Sequence, residues 1–350
     1  MQIKFFGIFA AMDSVTQIVL GAACGEIILG RKIGNKALLF GAIGGTIPDL
    51  DVFIGSWIYR NEIDAMTFHR GFMHSITFAV LGSFLFGWIT HKLYDTGNRK
   101  ETTTSKNWIY LFLLSLGTHP ILDCFTPYGT QLFTPFTDYR VAFNNISVAD
   151  PAYTLPFLLC LIVVMFLKRN NPKRLKWAKV GICISSAYML FTLGNKIYID
   201  SVFKKSFEKA NVSYLRFRTQ PTILNNMLWY GIAETKTEYK IGYYSLFDKK
   251  NIVNKLITIP KNQSVVDMNQ PDLKRLSWFS NQYYFIEKKE NPSRIIYNDL
   301  RYVMNTNDSI KAMMNFEIKK EGLHWTTKPS NDFTPPDNFI SNFWKRIKGI

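Results

Sequence analysis

The chain has 350 residues, and 42 Lys and Arg against 26 Asp and Glu give it a formal charge of +16. With 47% hydrophobic residues and no period in its 21 Gly and 14 Pro, it is neither a disordered polyelectrolyte nor collagen-like. The charge and a mean hydropathy of −0.02 fit a basic soluble protein of about two domains, but that average conceals two unlike halves. Residues 1–200 hold 18 basic and 12 acidic side chains and nearly all the long apolar runs, whereas residues 201–350 hold 24 and 14.

Residues 1–12 carry one lysine and an apolar stretch too short for an ordinary signal peptide. Met12-Asp13-Ser14 reads as a natural chain start, with Asp13 or Ser14 capping the first helix. Six apolar segments follow, at 15–30, 37–50, 75–94, 107–123, 151–167 and 177–195. A 20-residue helix covers roughly 30 Å of hydrocarbon, so the last four can span a bilayer. The first two reach only about 20–24 Å and are expected to cross a thinned region or to turn within protein. The four cysteines, Cys24, Cys124, Cys160 and Cys183, lie in or beside these runs without CxxC pairing and read as buried small hydrophobes.

Loop charge tests the membrane reading independently. If the segments alternate sides, the connections 31–36, 92–106 and 168–179 share one face and collect 13 of the 18 basic residues before position 201. By the positive-inside rule that face is cytoplasmic. The opposite face is acid-rich. A soluble helical bundle does not predict this sorting, and topology accounts for the basic residues without any nucleic-acid partner.

Three of the five histidines, His69, His74 and His119, fall at the outer ends of segments or in outer loops, with Asp49, Asp51, Asp123 and the Asp13/Gln17 pair. His119 and Asp123 are four residues apart and share one helix face, as do Asp13 and Gln17, a spacing that lets an imidazole and a carboxylate grip one ion. Pro48 is expected to end or kink the second segment and turn Asp49 and Asp51 toward its outer end. Singly, a histidine at a helix end is more often a hydrogen-bonded interfacial residue, and His119–Asp123 could be one interhelical pair. As a set at membrane depth, where ionisable groups are costly, they read as a divalent-metal site. Two or three His with carboxylates and no Cys suits zinc, or manganese, with one or two ions. The expected ligands are His69, His74, His119, Asp123, Asp49 and Asp13, with Asp51 as a further ligand or the catalytic base and Asp49 and Arg70 as further catalytic residues. Arg70 is expected either to pair with a substrate phosphate or to sit in lipid head groups. Glu26, near the basic end of the first segment, could be a snorkelling charge or a buried ligand.

These residues resemble a known family. Met12-Asp13-Ser14-Val15-Thr16-Gln17, Leu20-Gly21-Ala22-Ala23, Gly25-Glu26, Pro48-Asp49-x-Asp51, His69-Arg70-Gly71 with His74-Ser75, and Gly117-Thr118-His119-x-x-x-Asp123 are similar to the YdjM-like, LexA-regulated family of bacterial inner-membrane metal-dependent hydrolases. Thr126-Pro127-Tyr128-Gly129-Thr130, Pro135-Phe136 and Asp150-Pro151 continue the likeness over roughly residues 12–200. The resemblance implies a polytopic membrane enzyme holding a divalent metal. It extends more distantly to the His-x-x-x-Asp ligand pairs of zinc-dependent phospholipase C, which cleaves phosphoesters. Many family members have His where this chain has Gln17, a poor ligand, which limits that position to supporting a ligand.

The expected fold is therefore a mainly α membrane domain of about six short helices at 1–199, followed by a small β-rich domain at 200–350 on the outer face. Alternating runs at Val212–Arg218, Leu228–Glu234, Tyr239–Leu246, Ile252–Ile259, Gln282–Glu287 and Arg294–Met304 carry the second part. The long connection 124–150, with Tyr128, Gly129, Arg140, Asn144 and Asn145, is expected to be a lid or substrate wall. The expected function is hydrolysis of a phosphoester, in a lipid or another membrane-associated substrate, at the outer leaflet of the bacterial inner membrane. The rival is a non-catalytic membrane scaffold or stress-related protein whose polar helix ends only lock helices together.

Overall fold

The computed structural model describes residues 2–289, 294–306, 309–321, 324–330 and 338–350; of these, the side chains of residues 2–13, 305, 306, 309, 321 and 324 lie outside the description. A helical region precedes an antiparallel β domain, as the hydrophobic periodicities require. The helices are α1 (Gln2–Ile33), α2 (Asn35–Thr46), α3 (Asp51–Ile58), α4 (Glu62–Phe68), α5 (Ile76–Tyr94), α6 (Ser105–Asp123), α7 (Pro151–Phe166) and α8 (Lys173–Lys209). A 3-10 turn, Ile47–Leu50, carries the chain from α2 into α3, so the second apolar segment does not stop at Pro48. It continues to Ile58, giving 24 residues rather than the short stretch expected. Among the described residues, Asn35–Ile58, Ile76–Tyr94 and Lys173–Lys209 are long and apolar enough to cross a membrane, and Pro151–Phe166 is a shorter apolar helix.

Close backbone approach sets the α1–α2 pair. Gly21 and Gly25 on α1 face Gly41, Gly45 and Ala37 on α2 so tightly that a Cβ on Gly21 would collide with the Gly41 carbonyl, and one on Gly41 with that of Gly21. Small residues four apart on both helices permit this contact, as is common between helices in lipid. Trp108, Leu111, Phe112 and Leu116 of α6 then pack on Leu29, Ile33 and Ala37, while Phe157, Leu161 and Val164 of α7 pack on Val19, Ala22 and Ala23.

At the basic end a second device locks the bundle. Arg174 places Nε 3.0 Å from Glu26 Oε1 and Nη2 2.6 Å from Oε2, and its Nη1 donates to Asn35 Oδ1, Val164 O and Leu167 O. Both side chains are buried. Glu26 is thus a paired structural charge, and Arg174, one of the 13 basic loop residues, points into the protein. Cys24, Cys124 and Cys160 are buried as expected, but Cys183 is exposed, on a face of α8 that no other helix covers; all four are free thiols.

The β domain has two four-stranded antiparallel sheets. Strands β1 (Arg216–Pro221), β2 (Leu228–Glu234), β3 (Glu238–Ser245) and β4 (Leu256–Pro260) pair in chain order. The second sheet has the order β10 (His324–Pro329), β9 (Asn315–Glu321), β6 (Arg294–Asp299), β5 (Tyr284–Lys288). A ribbon of β7 (Val303–Thr306) and β8 (Ser309–Ala312) and the helices α9 (Pro271–Phe279) and α10 (Phe339–Ile347) complete it. The run expected at Arg294–Met304 is broken because Asp299 turns its carboxylate onto the Arg301 amide and guanidinium, forcing a turn between β6 and β7.

The last helix joins the two parts. At 37 residues α8 is about 55 Å long, almost twice the hydrocarbon thickness. Its far end runs past residue 200 and buries Ile199, Val202, Phe203 and Phe207 against Trp229, Ala233 and Tyr244. The apolar segment seen in the sequence, 177–195, is the part of α8 with a single charged residue, Lys179, between Lys176 and Lys196.

Candidate metal centre

Four chain segments converge at the end of the bundle opposite the Glu26–Arg174 pair. The last turn of α6 supplies His119 and Asp123, the 3-10 turn after α2 supplies Asp49, the start of α3 supplies Asp51, and the strap between α4 and α5 supplies His69, Arg70 and His74. His74, His119, Asp51 and Asp123 are buried, while Asp49 keeps 18% of its side chain exposed and His69 23%.

The donor atoms face one another. His74 Nε2 and His119 Nε2 are 3.1 Å apart; Asp49 Oδ1 is 3.3 and 3.4 Å from them, and Asp123 Oδ2 is 3.5 Å from each. Donors about 2.0–2.1 Å from a tetrahedral ion stand roughly 3.3 Å apart, so these separations are the edges such an ion would set.

Tautomers sharpen the argument. His119 Nδ1 is 2.6 Å from the Gly45 carbonyl, which can only accept, so Nδ1 carries a proton, and in the neutral ring Nε2 presents a lone pair. His74 Nδ1 lies 3.0 Å from Asp51 Oδ2, a charge contact that favours a proton on Nδ1. With both rings neutral, two imidazole lone pairs face each other among carboxylates, a contact that a cation or a proton between them relieves. Orientation of a ligating His through its other nitrogen, by a carboxylate or carbonyl, is how protein metal sites fix their ligands.

Charge agrees. Three carboxylates, Asp49, Asp51 and Asp123, are opposed by one guanidinium, Arg70, so with neutral imidazoles two negative charges remain, which a divalent cation would neutralise. Among the described residues the side chains form two groups that could each hold a metal ion, Asp49–His74–His119 and Asp51–His69–His74, which share His74.

Around this set the remaining residues act as supports. Asp51 Oδ1 accepts from His69 Nδ1 at 2.7 Å and Oδ2 accepts from the Arg70 amide at 3.0 Å. Burial holds the His69 imidazole below its ordinary pKa, against the pull of Asp51. Arg70 has φ of 60°, the left-handed region that non-glycine residues avoid, and this turn is what aims its amide at Asp51. Its Nε lies 3.1 Å from Asp123 Oδ2 and its Nη1 donates to Thr126 Oγ1, so Arg70 sits inside the protein on a ligand rather than in lipid head groups. Gln17 donates to Asp123 Oδ1 at 2.8 Å and to His119 O at 3.2 Å, and Ser14 donates to Asp49 Oδ2 at 3.4 Å. Asp13 lies on α1 outside the described side chains.

The β domain covers this end of the bundle. Ile63 of α4 is fully buried in the β-domain core with Leu273, Leu276 and Phe279. Asn61 donates to Asp272 and Arg275 to Thr67 Oγ1. Arg140, from the 124–150 connection, donates to the His69 carbonyl at 2.8 Å and lies between the rings of Tyr128, Trp278 and Phe279. Burial, and the nearby Arg301 and Arg70, bring Arg140 down to about 10 although Tyr128 opposes them. The sequence carried no signal for the Gly45 carbonyl or for the β-domain part of this roof, since both are long-range contacts, whereas Tyr128 and Arg140 belong to the connection expected as a wall; Thr126 was visible only as part of a motif.

Fold and centre together define a helical membrane protein with a buried His/Asp cluster positioned for a metal ion and capped by a β domain. Residues 12–197 match the YdjM inner membrane protein family, and the chain belongs to that family. A protein of Bacillus subtilis (strain 168), YfhP, is 28% identical over 159 residues, which is 43% of this chain and 46% of YfhP. The matched region thus spans about half the length of that relative. No solved structure matches the chain.

Proposed function

We propose that the protein is a membrane-bound metal-dependent hydrolase that cleaves a phosphoester of a lipid or other membrane-associated substrate at the outer leaflet. The observation that carries this reading is the pair of facing imidazole Nε2 atoms, 3.1 Å apart, with carboxylate oxygens of Asp49 and Asp123 3.3–3.5 Å from them. His74, His119, Asp49 and Asp123 would hold the ion, zinc by donor type with manganese the alternative. When bound, such an ion supplies a Lewis acid and a water acidic enough to ionise near neutral pH.

The chain's own groups divide the remaining work. Asp51, with both oxygens engaged, orients His74 and His69. His69, its Nδ1 committed to Asp51, leaves Nε2 to exchange protons. Arg70 fixes Asp123 and adds positive charge beside the reacting phosphoryl group. In the balanced reaction water adds to phosphorus, the bond from phosphorus to the ester oxygen breaks, and that oxygen takes up the proton the water gives up.

The layout that goes with this reading has six membrane crossings, basic loops in the cytoplasm and the β domain on the outer side of the inner membrane, with lipids and not nucleic acid as partners. Reporters fused after residues 100, 172 and 350 test it: inside, inside and outside are expected, and any reversal overturns it. For the chemistry, metal content of detergent-purified protein is measured with turnover on a phosphodiester and lipid panel. One or two divalent ions per chain and metal-dependent turnover are expected. Full metal content in the His119→Ala/Asp123→Ala double variant would sink the site, and a metal-free protein destabilised by those substitutions would favour the scaffold.

A further inference from the structure

We propose that the metal centre opens sideways into the bilayer, so that its substrate is a phosphoester-bearing membrane lipid drawn in laterally rather than a water-soluble phosphoester. The proposal rests on the hydrolytic reading for its chemistry and on separate observations for its direction of access.

The first observation is the roof. Solvent would reach this end of a bundle along its axis, and that direction is covered by the β domain: Ile63 is fully buried in its core, the Tyr128 ring lies 5.2 Å from that of Phe279, and Arg301 Nη1 donates to the Tyr128 carbonyl at 3.3 Å. Thr67, one turn before the ligand strap, is fully buried beneath Arg275.

The second is where the exposed ligand lies. Among His74, His119, Asp49 and Asp123, only Asp49 is more than marginally accessible. It belongs to the apolar span Asn35–Ile58, and an exposed apolar stripe runs along that span past it: Leu39, Ile43, Leu50, Phe53 and Trp57, at intervals of four, seven, three and four residues. The four-residue intervals keep one helical face on each side of the 3-10 turn at Ile47–Leu50, and Asp49 stands four residues before Phe53 on the second of these faces. Phe53 and Trp57 are 72% and 87% exposed, an arrangement suited to hydrocarbon and unfavourable in water. The side on which Asp49 is open is therefore the side that faces lipid.

The third is the neighbour on α1. Ser14 donates to Asp49, and Val15 beside it is again exposed and apolar. A polar group at membrane depth that is open on a lipid-facing side admits what the bilayer itself presents there, a head group attached to acyl chains. A soluble phosphoester of the same head-group chemistry has to part lipid to arrive by this route.

Two arms of one experiment separate access from chemistry. In protein reconstituted into nanodiscs, with Cys183→Ser removing the exposed native thiol, Ser14→Cys and Leu50→Cys each report on the opening and Lys250→Cys on the aqueous β domain. We expect the first two to react with a lipid-partitioning maleimide and to react with a charged, sulfonated maleimide at least ten times more slowly than the Lys250→Cys control. Labelling of the Ser14→Cys variant by the charged reagent at the control rate overturns the lateral opening. In the second arm the metal-loaded protein is given a long-chain phospholipid in the disc or a soluble diester of the same head group. Faster turnover of the lipid, reduced about tenfold in Phe53→Asp with metal content and diester turnover unchanged, is expected. Preferential turnover of the soluble diester, unaffected by Phe53→Asp, overturns the lipid assignment and leaves the hydrolase standing. Turnover of neither substrate by metal-loaded protein removes the hydrolytic reading and the substrate with it, while the labelling still decides the direction of access.

Discussion

The same bundle buries two charged clusters, one at each end, and they are built on opposite principles. At the basic end, Glu26 and Arg174 meet in a two-point ion pair, and Asn35 and two backbone carbonyls take the other guanidinium donors. That cluster is closed: positive and negative charge balance, and donors meet acceptors. At the other end the ring nitrogens and carboxylates converge on one point. His74 and His119 bring their Nε2 atoms to 3.1 Å, three carboxylates oppose one guanidinium, and the outer residues, Asp51, Gly45 and Gln17, hold that arrangement in place. A buried cluster that satisfies itself is structure; one whose surroundings enforce an unsatisfied centre is a receptacle for a cation.

The largest expected effect separates the two ends outright. His74→Ala with His119→Ala removes half of the converging donors and is expected to abolish metal retention, measured by elemental analysis after chelator challenge, with thermal unfolding in detergent checking that the chain folds. Arg174→Ala should do the converse. It leaves Glu26 as an uncompensated buried charge, which costs about 3–5 kcal/mol, read as a lowered unfolding temperature in detergent, with metal per folded chain unchanged. Glu26→Leu with Arg174→Leu should recover most of that loss, since replacing both partners of a buried pair by apolar groups is close to neutral. A stability loss from the histidine variants as large as that from Arg174→Ala would erase the distinction.

Much of this was legible in the sequence, for local reasons. The segment expected at 75–94 is α5 at Ile76–Tyr94, and that at 107–123 is covered by α6, because apolar runs of that length have few alternatives in a membrane protein. His119 and Asp123 share a face because four residues make about one helical turn. What stayed hidden was non-local. That Asp51 serves two histidines through its two oxygens, and that Arg70 bonds a carboxylate on α6, depends on a strap in left-handed conformation that no periodicity announces. α9 and α10 were missed because each is nine residues long, too short for a helical period to outweigh the surrounding strand pattern. The docking of the β domain over the centre depends on Ile63, which in the sequence is one isoleucine in a polar loop.

The smallest effects test the comparison most finely, through one amide at each end. Gln17 and Asn35 are both polar carboxamides bonded to a charged group of the bundle, Gln17 to Asp123 and Asn35 to Arg174. If the two clusters were alike, Gln17→Ala and Asn35→Ala would behave alike, each costing about 1 kcal/mol or somewhat more of stability for a lost hydrogen bond to a charged group. The asymmetry described above gives a different expectation. Asn35→Ala should lower stability by that amount and leave metal affinity where it was. Gln17→Ala frees Asp123 Oδ1 and lets the carboxylate rotate, and loss of such a support lowers metal affinity by about 10–100-fold. Competition with a chelator of known affinity, run beside thermal unfolding on both variants, measures the two quantities separately. Equal affinities in the two variants would mean that Gln17 only packs, and that the orientation of Asp123 rests on Arg70 alone.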